Sequence, residues 1–200
     1  MQDLNGLLRA NLRNHASRLA SICNSVRASF CFTELDQAFI AWGLIALAIF
    51  GAAQFSPLSW TNQAIIDAAL TGAGIAGTSG LTWEIACIAN LRWVVFVWAT
   101  LMSFGMVVTA YGIFGGVGFI LVNLCVLWLG LCTLGYAMMA VGMGSRCFAA
   151  MTLVHGLAIA LPSVYPSSQF IISGWVIALT LFFFSVVPWD MREAEPDAPC

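Results

Sequence analysis

Long apolar runs alternate with short polar breaks along the chain, and six of the runs reach the length of about 20 residues that a helix needs to cross a hydrocarbon core. They cover residues 39–55 (extended at its start by 36–38), 64–86, 93–114, 117–139, 147–164 and 169–187. Proline removes a helix hydrogen bond and clashes with the preceding turn, so its positions test this division independently. Pro57 falls between the first two runs, Pro162 and Pro166 bracket the turn between the fifth and sixth, and Pro188 closes the sixth. The predicted fold class is all-α: a polytopic membrane protein built as a six-transmembrane-helix bundle.

Ahead of the bundle, Leu4, Leu8, Leu12, His15, Leu19, Ile22, Val26 and Phe30 recur at helical spacing. This predicts an N-terminal amphipathic helix within a cytoplasmic-side segment, residues 1–34. Two readings fit it: a helix lying on an anionic leaflet, or an organellar transit peptide. The transmembrane domain then covers 35–189, with Glu34, Asp36 and Gln37 supplying acids and polar groups at the first helix N-terminus. Residues 190–200, acidic and holding Pro196 and Pro199, are expected to be a disordered tail.

Charge orients the bundle. All seven basic residues are Arg: four precede the first run, and Arg92, Arg146 and Arg192 stand at later breaks. With six crossings every one falls on the same side, whereas the opposite connections carry no charge. Basic residues near span ends stay on the cytoplasmic side. Both termini are therefore expected on the cytoplasmic or stromal face of a bacterial inner or thylakoid-type membrane. With 61% apolar and 8% charged side chains, a water-soluble globule is excluded. A net charge of −2 offers no basic surface for nucleic acid. The absence of Lys removes retinal, pyridoxal and phosphate-loop chemistry.

Small residues mark where helices approach closely in lipid. Gly72 and Gly77 in the second run, within Ala68-x-x-x-Gly72 and Ala73-x-x-x-Gly77, make that run the expected central helix. Gly112 and Gly116 are expected to pack the third run against the fourth. Trp98 and Trp128 lie deep enough to be packing residues or the lining of a pigment or quinone pocket.

A charge at mid-bilayer costs roughly 2.5–3.5 kcal/mol on insertion scales, so intramembrane polar groups are the functional candidates. Asp67 and Glu84 lie near opposite ends of the second run, roughly 26 Å apart at 1.5 Å per residue, too far for a carboxylate pair. Glu84 is expected to pair with Arg92 across the tight turn. His155 is the ionisable group nearest mid-membrane: hydrogen-bonded to a hydroxyl on a neighbouring helix, a haem or chlorophyll ligand, or part of a proton or solute path. Asn62, Gln63, Asp67, Thr71, Asn123 and Gln169 gather toward the uncharged end, and Asp67, His155 and Asn123 are the candidate polar pathway or ligand set. No Cys-x-x-Cys pair occurs among the seven Cys. A zinc or bis-His haem site lacks its second intramembrane His. No metal site, cofactor or catalytic residue is predicted.

Three stretches carry a resemblance: Leu35-Asp36-Gln37-Ala38, Trp60-Thr61-Asn62-Gln63-Ala64 and Trp189-Asp190-Met191-Arg192. They are similar to segments of uncharacterised six-helix integral membrane proteins of cyanobacteria, over roughly residues 33–192. The resemblance implies a photosynthetic or related energy-transducing membrane and brings no activity with it. The leading functional expectation is a non-catalytic integral protein, an accessory or assembly subunit that packs against other membrane proteins or itself within the bilayer. The alternative is a small permease or channel for a neutral or weakly polar solute or protons. The third is pigment or haem binding through His155.

Overall fold

A computed structural model describes residues 34–186; the expected amphipathic helix and acidic tail lie outside them. Its helices are α1 (Glu34–Phe55), α2 (Trp60–Ile88), α3 (Arg92–Phe114), α4 (Gly118–Val122), α5 (Leu124–Met143), α6 (Arg146–Ala158), α7 (Leu161–Val164) and α8 (Gln169–Val186). No strand occurs among the described residues, and six helical segments are long and apolar enough to cross a membrane. The all-α six-helix bundle read from the sequence is the observed fold.

Local chemistry fixes where the helices start and stop. Ser59 accepts from the Asn62 backbone N–H at 3.3 Å and caps α2, so that helix begins at Trp60, earlier than apolar content alone implies. Its 29 residues make it about 43 Å long, more than the hydrocarbon core requires. Ser145 caps α6 in the same way through the Phe148 N–H. At the end of α2, Asn90 takes a left-handed conformation (φ 56°) and Leu91 N–H bonds back to Ala86 O at 2.7 Å. The end of α3 repeats this closure with Gly116 (φ 64°) and a 2.9 Å bond from Val117 N–H to Gly112 O. Both are Schellman ends, and a left-handed residue there is what reverses the chain so tightly.

One of the six crossings is interrupted, and another is preceded by a short separate helix. Asn123 leaves helical geometry between α4 and α5 while its side-chain amide donates to Phe119 O at 2.8 Å. The fifth crossing breaks at Ile159–Ala160, between α6 and α7, just before Pro162. That proline has no N–H for Ala158 O, so the regular ladder cannot continue.

α1 packs most extensively against α8, with α2 on its other side; α2 leads to α3, α3 to α5, and α5 closes back onto α8. α6 lies outside this five-helix ring, against α5 and α8. The most enclosed helices are α5 and α8, and this corrects the expectation that the second crossing is central. Gly72 and Gly77 are exposed, and a Cβ built on either meets nothing. They make no packing contact among the described residues, because the face of α2 that meets α1 and α3 is the one carrying Asp67, Thr71, Gly74 and Thr78. Gly116 likewise meets nothing among the described residues and serves the turn instead. Gly112 does pack as expected, its Cβ position 2.7 Å from Ile120 Cγ2.

Close approach is made by tryptophan seated on glycine. Trp98 of α3 covers Gly135 of α5, whose Cβ position lies 2.7 Å from Trp98 Cη2. Reciprocally, Trp128 of α5 covers Gly105 of α3 at 2.8 Å. Trp93 on Gly142 and Trp42 on Gly74 repeat the arrangement. A flat indole needs the missing side chain to reach its neighbour, so each glycine matters for the ring it admits. Trp98 and Trp128 are the packing residues expected of them, and both also border the space described next.

Candidate functional site

The ring leaves an unfilled lumen of about 250 Å³, bordered by α1, α2, α3, α5 and α8, with Phe148 of α6 at one end. Its lining positions recur every three or four residues on each helix, as one face of an α-helix must. On α3 they run from Val94 to Thr109, about 22 Å at 1.5 Å per residue. The lumen is therefore long, narrow and nearly as deep as a hydrocarbon core. Most of its wall is aliphatic, aromatic or thioether, including Ile45, Met102, Met106 and Met139.

The buried polar side chains of the wall lie away from the Arg92–Arg146 end, while the half-buried Thr78, Ser79 and Thr82 line α2 nearer to it. Asp67, Thr71 and Thr109 line the lumen at the far end, each less than one-tenth exposed. Thr71 and Thr109 stand equally far along their antiparallel helices from the turn at Asn90, which places them level. Gln63 fixes Asp67 by donating from Nε2 to Oδ1 at 2.7 Å, and the same amide reaches Ile49 O of α1 at 3.3 Å. Nearer the other end, Trp42 Nε1–H donates to Thr78 Oγ1 at 3.0 Å across α1 and α2.

Five helix threonines are satisfied within their own helix. Those at 78, 82, 133, 152 and 180 each turn the hydroxyl back onto the carbonyl four residues earlier, at 2.6–2.9 Å. This is the usual way for a helix in lipid to satisfy a hydroxyl. Thr109 does not: its Oγ1 is buried on the lumen wall with no partner among the described residues. Sequence reasoning missed Thr109, although Met102, Gly105, Thr109 and Gly112 form the buried face of α3 at helical spacing.

The remaining predicted residues are not brought into this site. His155 is fully buried on α6 and does not border the lumen. Its Nδ1 stands 3.0 Å from Met151 O; a carbonyl only accepts, so Nδ1 carries the proton and Nε2 presents a lone pair. That Nε2 has no partner among the described residues, and the ring lies 4.9 Å from the Tyr136 ring. The expected hydrogen bond to a hydroxyl of another helix is replaced by this local one. Asn123 occupies the α4–α5 break, bonded to its own turn, and is separate from Asp67. Glu84 and Arg92 are both exposed, and no ion pair joins them among the described residues. The left-handed Asn90 turn reverses the backbone between them and leaves each side chain on the outside.

Cys125 is fully buried behind the lumen wall and Cys132 sits on it, 5% exposed; both are small apolar packing residues of α5. Among the described residues, no three His, Cys, Asp or Glu gather closely enough to hold a metal. No family model, curated protein or solved structure matches the chain.

Proposed function

We propose that this integral membrane protein is a non-catalytic carrier or permease that takes a largely apolar small molecule into the five-helix lumen. The observation carrying the reading is the lumen itself: a channel-shaped, mostly apolar space with the buried Asp67, Thr71 and Thr109 at one end and the half-buried Thr78, Ser79 and Thr82 along its α2 wall. Small-molecule sites are mostly apolar, with few placed polar groups, and run from about 300 Å³ upward. At about 250 Å³, this lumen suits a slender occupant. The reading belongs to the permease class, with Asp67 retained and His155 and Asn123 left out. The Arg positions support an orientation with both termini on the cytoplasmic or stromal face.

Binding of tritiated hexadecanol to the full-length protein in detergent micelles tests the reading. Saturable binding of one molecule per chain is expected, and Ala99→Trp, which sets an indole in the lumen wall, should abolish it while leaving helicity intact. Absence of saturable binding, or binding indifferent to Ala99→Trp, would overturn the reading.

A separate observation favours association with another membrane protein, as an accessory subunit would require. Ala68, Gly72, Ala76 and Gly80 face outward on α2 at intervals of four residues, an exposed seam of small side chains. Such seams let a second helix approach closely. Gly77→Leu, beside that seam, is expected to leave thermal stability unchanged and to shift the protein from a complex to a smaller particle in mild detergent. An unchanged particle size would remove this reading.

A further inference from the structure

Within the carrier reading, on which this step rests, we infer that the occupant enters the lumen sideways from the bilayer. The portal lies between α1 and α2 in the leaflet nearer the Arg92–Arg146 end, and Trp42 is its latch. The seams of the five-helix ring are closed unequally. Gly43 and Gly174 lock α1 to α8, with Phe182 and Phe50 filling their Cβ positions. Trp98 on Gly135 and Trp128 on Gly105 lock α3 to α5 from both sides. Tyr136 against Phe184, 6.0 Å between ring centroids, joins α5 to α8. The Asn90 turn ties α2 to α3 at the Arg92–Arg146 end. Helices α1 and α2 are connected only at the opposite end, through residues 56–59.

Along the α1–α2 seam, Gln63 Nε2 reaches Ile49 O at 3.3 Å near that connection, and farther on Trp42 Nε1–H donates to Thr78 Oγ1 at 3.0 Å. Thr78 donates its own proton to Gly74 O at 2.6 Å, which holds a lone pair toward the indole. Past Thr78 the two helices turn their rings to other neighbours. Phe39 packs on Phe184 of α8 at 5.6 Å, and Trp83 on Phe96 of α3 at 6.1 Å. Leu35, Phe39, Thr82 and Ile85 line the lumen there and are only half-buried. The Trp42 ring, 3.1 Å from the Cβ position of Gly74, itself borders the lumen. Swinging it aside breaks one hydrogen bond and one ring contact, whereas parting α1 from α8 or α3 from α5 must unseat paired interlocks. A largely apolar occupant concentrates in the bilayer rather than in water, so a side portal meets it where it is dissolved.

Full-length protein retaining Cys132 as its only cysteine, in lipid nanodiscs, tests the portal. Cys132 lines the lumen from α5, across from the latch, and is 5% exposed. N-dodecylmaleimide dissolved in the bilayer is expected to label it about tenfold faster in Trp42→Phe and in Thr78→Val than in the parent, the equivalent of about one hydrogen bond. The double variant should be no faster than either, because both changes remove the same bond. Thr78→Ser should keep the parent rate. A companion protein retaining only Cys125, buried behind the lumen wall, should label at one rate in every background. Unchanged Cys132 labelling in both single variants, or equal acceleration at Cys132 and Cys125, would overturn the latch and leave the carrier reading standing. Faster labelling of Cys132 by a charged, membrane-impermeant maleimide than by N-dodecylmaleimide would overturn entry from the bilayer. Absence of saturable hexadecanol binding with the latch response intact would overturn the carrier reading alone.

Discussion

Replacing Tyr136 with Ala is expected to produce the largest loss of stability from a single side chain, about 3 kcal/mol. Tyr136 is 1% exposed and lies among four rings: Trp98 at 5.3 Å, His155 at 4.9 Å, Phe148 at 6.1 Å and Phe184 at 6.0 Å between centroids. Those rings come from α3, α6 and α8, so one phenol ties three helices to α5. Truncating a buried aromatic in a soluble core costs about 3–5 kcal/mol, part of it the transfer of apolar surface and part the cavity left behind. In lipid the transfer part shrinks, because acyl chains are as apolar as the protein interior. The cavity and lost ring contacts remain, which places the expectation at the lower end. Tyr136→Phe keeps the rings and should cost far less than Tyr136→Ala. Unfolding in a graded series of SDS, followed by tryptophan fluorescence, measures both. A loss below about 1 kcal/mol for the Ala variant would mean that this aromatic cluster does not hold the bundle.

The second large effect is expected at Gly174, where α8 meets α1. A Cβ there would lie 2.7 Å from Phe50 Cβ and 3.7 Å from Ala46 O. Phe50 Cβ is fixed to its backbone and cannot swing aside, so a larger residue must push the helices apart. Gly43, farther along α1, is closed in the same way by the Phe182 ring. At the loop end, Gln54 Nε2 donates to Ser167 O at 2.9 Å and ties the same pair together. Gly174→Leu is therefore expected to cost at least the about 1–3 kcal/mol of an overpacked core, and to lower the yield of folded protein. The same change at Gly77, which faces outward, should cost nothing. Equal melting temperatures for the two Leu variants would contradict the assignment of α1–α8 as the main intrachain contact.

The contrast between those two glycines shows what the sequence could and could not convey. The crossings were legible because lipid demands long apolar helices whatever they pack against. The prolines were legible because each is local backbone chemistry, whereas the Ser59 and Ser145 caps and the turn role of Gly116 emerged only in the fold. The lumen was not legible either. Its wall and the lipid-facing surface are equally apolar, so no periodicity separates Met102 from Phe104. Small residues mark close approach without naming the neighbour: Gly135 and Gly105 admit indoles from within the chain, while Gly72 and Gly77 face away from it. Asp67 was found from charge at depth. Thr109 was missed because a lone threonine in a helix normally bonds its own backbone, and only the folded arrangement shows that this one does not. The Glu84–Arg92 pair looked favourable from proximity along the chain, but the left-handed residue between them sets direction as well as distance.

The central claim is that α3 presents one face to a ligand-accepting lumen and the other to lipid. Single cysteines in a cysteine-free background test it directly, at Ala99, Met102 and Met106 on the lumen wall and at Phe96, Phe104 and Val107 on the exposed side. Labelling rates with a membrane-permeant maleimide are measured with and without hexadecanol. The account predicts that hexadecanol slows labelling at the three lumen positions and leaves the three lipid-facing positions unchanged. Slowing at both sets, or at neither, would contradict it.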